Sequence, residues 1–317
     1  MTTSKLRFDM MKKIFSLLAA ALAITLLSAC YHDNHEFMDN EFGGQPVGYV
    51  ALHLVWDNEA DADTVLRAIT FQAFGADDIV RSRTFTSAEE AAAWLQQLPV
   101  GDYDILVAAN MDEASGYVLT TDAGTRSAAR LTTTSVTLAD YGVPPLQSWF
   151  AVTRVNIRKD EIVVAKFRLQ RLLPTLAITI SEVPEDYSLT ASVEHTAKGI
   201  ILSETDGSGR YGVASADEQT VSCGALANDG TSRTLTRHLM PTASSQERTI
   251  ICLEIATPTG SSFERFVNAP PMMVGQDYRL TLRYSDLQSA IYINSANVNE
   301  WDFGTVLDGG STKGDKK

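Results

Sequence analysis

From Val47 onward, apolar residues recur at every second position in short runs that Gly, Pro, Asp and Asn interrupt. A period of two is what a strand with one buried and one solvated face requires, because successive side chains point to opposite faces of a sheet. Val50, Leu52, Leu54 and Trp56 alternate with Tyr49, Ala51, His53 and Val55; Ile69 and Phe71 follow in phase, then Tyr103, Ile105 and Val107. Val163, Ala165, Phe167 and Leu169 share one face, with Lys166, Arg168 and Gln170 on the other. Leu176, Ile178 and Ile180, then Ile251, Leu253 and Ile255, then Tyr278, Leu280, Leu282 and Tyr284 repeat the pattern. Strands of this kind predict an all-β chain of antiparallel β-sandwiches.

One helix interrupts them. Ser87 with Glu90 three residues on forms a capping box, and Ala91, Trp94, Leu95 and Leu98 fall at helical spacing before Pro99 ends the run. This predicts a short lid packed on a sheet, with Trp94 in the core. In the turn that follows, Pro99 fixes the approach, Gly101 supplies a positive φ and Tyr103 opens the inward face of the next strand. Turns of this Leu-Pro-x-Gly-x-Tyr form recur in transthyretin-like sandwiches, so the expected architecture is two transthyretin-like domains in tandem with one short helix in the first. No Pro/Gly-rich linker separates Leu169 from Leu176. The expected domains are therefore residues 46–171 and 172–304, joined almost strand to strand at a stiff boundary, with residues 305–317 as a flexible tail.

A different kind of sequence precedes the strands. Lys12 and Lys13 lead into an apolar run from Ile14 to Leu27 that closes at Leu27-Ser28-Ala29-Cys30. The run is short for a permanent membrane span, and residues 1–29 read as a secretory signal. Leu27–Cys30 looks like a lipobox, which implies cleavage after Ala29, a diacylglyceryl thioether on Cys30 and N-acylation. Each buried methylene is worth about 0.8 kcal/mol, and two or more chains anchor stably. The alternative is an ordinary signal peptide whose cleavage falls near a cysteine. Residues 30–45 are polar, acidic and aperiodic, the character of a tether. His32 and His35 within it read as solvated side chains rather than metal ligands. Acidic residues soon after a lipidated cysteine also resemble the export signal of surface-displayed lipoproteins in the Bacteroidetes.

The remaining chemistry is sparse. Lys+Arg 26 against Asp+Glu 39 gives a formal charge of −13, which repels a nucleic-acid polyanion. The sequence holds no nucleophile elbow, zinc-protease, phosphate-loop or dinucleotide motif. General-base candidates reduce to His53, His195 and His238, of which His53 reads as a packed strand residue. Asp206–Arg210 reads as a hairpin loop. Asp57, Glu59, Asp61 and Asp63 cluster oxygen ligands but fit no EF-hand spacing. No catalytic, cofactor or metal residue is assigned, and the chain reads as a non-enzyme. In an exported protein a disulfide between Cys223 and Cys252 is permitted, closing a loop of roughly 30 residues worth about 3–4 kcal/mol. The alternative is two thiols on strands too far apart to bridge.

Leu27–Cys30, the acidic tether, the segment Leu98–Asn110, the crossover Arg171–Ile178 and the closing Val298-Asn299-Glu300-Trp301 together resemble the Bacteroidales fimbrial anchor subunits of the FimB type. The resemblance covers most of residues 45–304. It implies a lipoprotein of two transthyretin-like sandwiches at the base of a fimbria or pilus, held in outer-membrane lipid through Cys30 and joined to fimbrial stalk subunits by strand addition. A sandwich with an exposed edge is a template for another chain's strand. In related stalk subunits a trypsin-like protease is thought to remove the N-terminal strand. Here no Lys or Arg occurs between Tyr31 and Leu66, Arg67 being the first, so the subunit is expected to keep its first strand and its lipid, as an anchor does. Beyond Trp301 the large apolar residues are Phe303, Val306 and Leu307, a poor donor strand. A competing reading is a surface lipoprotein that captures glycans on Trp56, Trp149 and Trp301, which requires those rings on an outer sheet face.

Overall fold

The computed structural model describes residues 41–75, 79–121, 134–289, 292–293 and 301–303. Ala29, Cys30, His32, His35 and the tail 305–317 lie outside the described residues. The chain divides into two units, Met1–Gln45 and Pro46–Lys317, and every described strand belongs to the second.

The first half of that unit runs β1 (Val47–Trp56), β2 (Ile69–Phe74), β3 (Ile79–Phe85), α1 (Ala88–Ala93), β4 (Leu95–Pro99), β5 (Gly101–Ala109), β6 (Tyr117–Thr121), β7 (Thr134–Leu138), β8 (Trp149–Ile157) and β9 (Ile162–Arg171). Seven of these strands form a sheet in the order β3-β2-β5-β8-β9-β1-β4. The β8–β9 link rests on two residue pairs, Trp149↔Arg171 and Phe150↔Gln170. The residues of the period-two pattern from both sides of that link, Val50, Leu52, Phe71, Ile105, Val107, Ala165, Phe167 and Leu169 among them, meet in one buried core. Each such side chain contributes about 1.5–3 kcal/mol by leaving water.

The second half runs β10 (Thr175–Ser181), β11 (Ser188–Ala197), β12 (Gly199–Thr205), β13 (Tyr211–Ala214), β14 (Glu218–Ala225), β15 (Ala227–Asp229), β16 (Ser232–His238), β17 (Thr249–Ala256), β18 (Ser262–Ala269), β19 (Asp277–Arg283), α2 (Tyr284–Ser289), β20 (Tyr292–Ile293) and β21 (Trp301–Phe303). Two five-stranded sheets, β15-β16-β10-β19-β21 and β14-β11-β17-β18-β20, close over a core built from Leu176, Ile178, Ile180, Ile251, Leu253, Ile255, Leu280 and Leu282.

The chain is all-β, as its periodicity dictates, but the sheets are mixed rather than purely antiparallel. β1 pairs β9 in parallel, Tyr49↔Ile162 to Trp56↔Leu169, and β10 pairs β19 in parallel, Thr175↔Asp277 to Ser181↔Arg283. A parallel pair needs a long crossover, and each half supplies it by placing its first strand beside its last long one. Alternation along a strand reports which face is buried and is blind to the direction of the neighbour.

A third layer joins the halves. The hairpin β6–β7 from the first half and the hairpin β12–β13 from the second form one sheet, β13-β12-β7-β6, through Gly199↔Thr137, Ile200↔Val136 and Ile201↔Ser135. Its inner face packs with Phe74, Leu106, Ala108 and Phe150 of the seven-stranded sheet and with Leu172, Leu173 and Met240. The segment at residue 171 thus leads into a shared hydrophobic core.

Three local expectations are corrected. The helix stops at Ala93; Trp94 is extended (φ −100, ψ 123), and Leu95–Pro99 pair with β1 instead. Completing that edge buries Leu95, Gln96, Gln97 and Leu98, a tertiary gain that outweighs modest helix propensity. Trp94 is therefore not core: it is 38% exposed, with the Arg83 guanidinium 3.5 Å over its ring. Gly101 does not have a positive φ; a Cβ there would meet the Tyr103 ring at 3.6 Å, and the Tyr103 hydroxyl ties the turn by donating to Pro99 O at 2.9 Å. His53 is exposed rather than packed.

Candidate functional site

Edge strands carry N–H and C=O groups that another chain can pair with, so the position of each strand decides which of these groups are available. β1 is interior. Its backbone is bonded on one side to β4 and on the other to β9, and its buried residues run from Val47 to Val50 and include Leu52. No lysine or arginine lies within it or ahead of it back to Tyr31.

The outermost strands differ in how they are protected. β4 is an edge in topology, yet Leu95–Leu98 are buried. β3 carries Arg81 and Arg83, and charge is a standard guard of an edge. β15 spans three residues, too short to template a long partner strand, while β20 and β21 are described over two and three residues. β14 is interrupted against β11 by register shifts at Ala191/Ser192 and Val193/Thr196, with His195 at φ 64 holding Glu218 at 2.8 Å. β6 and β13, the margins of the shared sheet, carry neither charge nor proline.

Where the halves meet, Arg171 at the end of β9 binds two carboxylates. Its Nε donates to Asp61 at 2.9 and 3.0 Å and its Nη2 at 2.6 Å, while Nη1 donates to Asp277 at 3.0 and 3.3 Å. Asp61 belongs to the turn after β1 and Asp277 opens β19, so one guanidinium fork ties a residue of each half. Hydrogen bonding to Asp61 raises the Arg171 pKa above its already high value, against the opposing effect of burial. Asp61 also accepts from Trp149 Nε1 at 3.2 Å. His238 flanks the network with Nδ1 3.3 Å from Thr175 Oγ1, and burial, reinforced by Arg171, lowers its pKa. These groups line a cleft of about 480 Å³.

Two carboxylates of the acidic run after β1 hold arginines. Asp61 holds Arg171, and Asp57 holds Arg168 at 3.6 Å and Arg210 at 3.3 Å. The Asp206–Arg210 loop does close the β12–β13 hairpin, with Asp206 Oδ1 accepting from Ser208 N and Arg210 N at 2.9 Å each. Cys223 and Cys252 are free thiols. Cys223 is buried on β14, Cys252 is half-exposed on β17, and β11 lies between those strands. They point to opposite faces, a geometry no disulfide bridges without moving backbone. Burial pushes the Cys223 thiol up to about 11.

Trp56 and Trp149 do not form an outer-face platform. Trp149 is 4% exposed in the first core, with Trp56 edge-on to it at 5.6 Å; Trp301 pairs by its backbone with Leu280. The exposed ring is Trp94, which the helical pattern concealed. Arg171 as a junction residue was also missed, because nothing in Gln170-Arg171-Leu172 distinguishes it from the alternating cations of β9. No helix among the described residues is long and apolar enough to cross a membrane.

No protein-family model matches the chain, and no curated protein matches it by sequence. Solved structures do. A candidate adhesin from Bacteroides ovatus is similar at 12% identity and a TM-score of 0.51, over 70% of this chain and 83% of that one. A candidate polysaccharide-binding protein from Bacteroides thetaiotaomicron is similar at 12% identity and a TM-score of 0.50, over 75% and 93%. The fimbrial anchor protein Mfa2 from Porphyromonas gingivalis gives 15% identity and a TM-score of 0.43, over 74% and 89%. The first two likenesses are likenesses of fold.

Proposed function

We propose that this chain is a lipid-anchored surface subunit that holds a fibre at the outer membrane, as an anchor or accessory subunit, through β-strand contact with a neighbouring stalk subunit. The observation that carries the reading is the state of β1: it is hydrogen-bonded on both sides, and no basic residue ahead of it back to Tyr31 offers a trypsin-like protease a cut that would separate it from what lies upstream. A first strand paired on both sides and uncut upstream stays joined to whatever is attached ahead of it. Cleavage after Ala29 and acylation of Cys30 would then make the attachment permanent, since two or more acyl chains hold a protein stably to a bilayer. The reading takes residues 30–45 as tether, residues 46–171 and 172–304 as its domains, and no catalytic group as part of its role. The adhesin descriptions of proteins with this fold agree with it.

Mass spectrometry of the protein extracted from membranes tests the anchor, with acyl chains expected on Cys30; a soluble form starting at another residue would defeat it. Deleting the gene is expected to detach, lengthen or abolish surface fibres, and unaltered fibres would overturn the reading.

A further inference from the structure

β13 borders a cavity of about 240 Å³ whose one wall is Gly212, Val213 and Ala214 and whose other is Met272, Met273 and Val274. Both ends of the edge are occupied: Gln170 Nε2 donates to Tyr211 O at 2.7 Å, and Ser244 N to Ser215 O at 3.1 Å. Between them Val213 is paired with Ile201 of β12, and no described residue is paired with the outer side of Ala214. Ser215 N donates to Gly199 O at 2.9 Å, and Ile200↔Ala214 is the next pair of the antiparallel register. Ladder alternation therefore turns the N–H and C=O of Ala214 away from β12, toward the cavity. Gly212, at φ 95, is buried at the base of the slot, where a Cβ would meet Phe150 Cζ at 2.8 Å and Val274 Cγ1 at 3.5 Å.

This chemistry selects its occupant. Open backbone groups on an edge strand are completed by an extended chain. The facing methionines, Met272 buried and Met273 42% exposed, form a soft wall that adapts to apolar side chains. The neighbouring charges are already taken, Asp206 by the loop backbone and Arg210 by Asp57, so nothing in the slot calls for a charged ligand. We propose that the slot along β13 receives an extended, uncharged segment of a neighbouring subunit, paired with Ala214 and covered by Met272–Val274. The inference rests on the strand-contact reading above and names the edge it uses.

A photo-crosslinking residue placed at Met273 of the full-length protein, in cells that bear fibres, provides the test, with the same residue at exposed Val164 on β9 as control. The expected product joins Met273, and not Val164, to an uncharged stretch of a different subunit. A synthetic peptide of that stretch should bind the purified protein, and Ala214→Asp should weaken it by at least about tenfold with the melting temperature retained. Should Ala214→Asp fail to fold, Met273→Lys, outside the sheet ladder, must give the same loss. A silent Met273, a cross-link to a second copy of this chain, or a peptide that binds both variants normally overturns the proposal. Fibre attachment is scored separately: normal attachment after gene deletion overturns the anchor reading, whereas lost attachment with a silent Met273 overturns the slot alone.

Discussion

Arg171 shows how much a single side chain can carry at a junction between two cores. Asp61 is 7% exposed and Asp277 45%, so the two carboxylates paired to it are not equivalent. Replacing Arg171 by Met would strand Asp61 as a buried, unpaired charge, and a loss of about 3–5 kcal/mol is expected in urea denaturation. Asp277→Asn, at the solvent side of the fork, is expected to cost less than about 1 kcal/mol. His238 beside them gives a pH dependence whose sign is fixed. Its pKa in the fold lies below the ordinary 6.5 because of burial and then Arg171, so the unfolded chain takes up a proton at a pH where the folded ring does not. Stability from this residue is complete above about 6.5 and declines as pH falls through that value toward the folded pKa. His238→Gln should flatten that part of a stability profile measured by chemical denaturation. Thiol labelling of the unfolded protein without reductant should find both Cys223 and Cys252 reactive, since neither is bridged; in the folded protein Cys223 should be silent.

At the level of elements, α1 and β4 illustrate where periodicity misleads. The N-cap half of the box forms as read, with Ser87 Oγ accepting from Glu90 N at 3.2 Å, while Glu90 Oε2 accepts from Thr86 N at 2.8 Å, one residue ahead of the cap. Ser87→Ala should cost about 1 kcal/mol by thermal denaturation. The start of the helix was legible because caps are local chemistry. Its end was not, because Leu95–Leu98 satisfy a helical spacing and an edge strand equally well, and the choice is made by the open side of β1. Trp94→Ala should therefore be mild, about 1 kcal/mol from the lost Arg83 stacking. Trp149→Ala should cost about 3–5 kcal/mol, the usual penalty for emptying an aromatic site in a core. The contrast between the two in parallel melting experiments distinguishes the observed helix end from the expected one.

For the whole molecule, the decisive feature is the sheet that takes one hairpin from each half. The core beneath it needs Phe74, Leu106 and Phe150 from one side of residue 171 and Leu172, Ile200 and Met240 from the other. A fragment covering residues 46–171 alone would expose the face that β12–β13 and Leu172–Leu173 cover. Calorimetry of the intact chain is expected to give a single cooperative transition, and two well-separated transitions would contradict the interlock. Such a body shares one hydrophobic core across residue 171.

The sequence alone determined the all-β class, the buried face of strands such as β9, β10, β17 and β19, the cap of α1, the Asp206 hairpin and the lack of a Lys or Arg between Tyr31 and Leu66. Each of these follows from side-chain type at positions close together in the chain. Tertiary structure decided the parallel β1–β9 and β10–β19 pairs, the conversion of Leu95–Pro99 to a strand, the union of the two hairpins, the Arg171 fork and the slot along β13. These depend on which backbone edges and which charges meet across separations such as Tyr49 to Ile162 and Asp61 to Arg171, and period-two alternation is unchanged by the direction, register or identity of the strand next door.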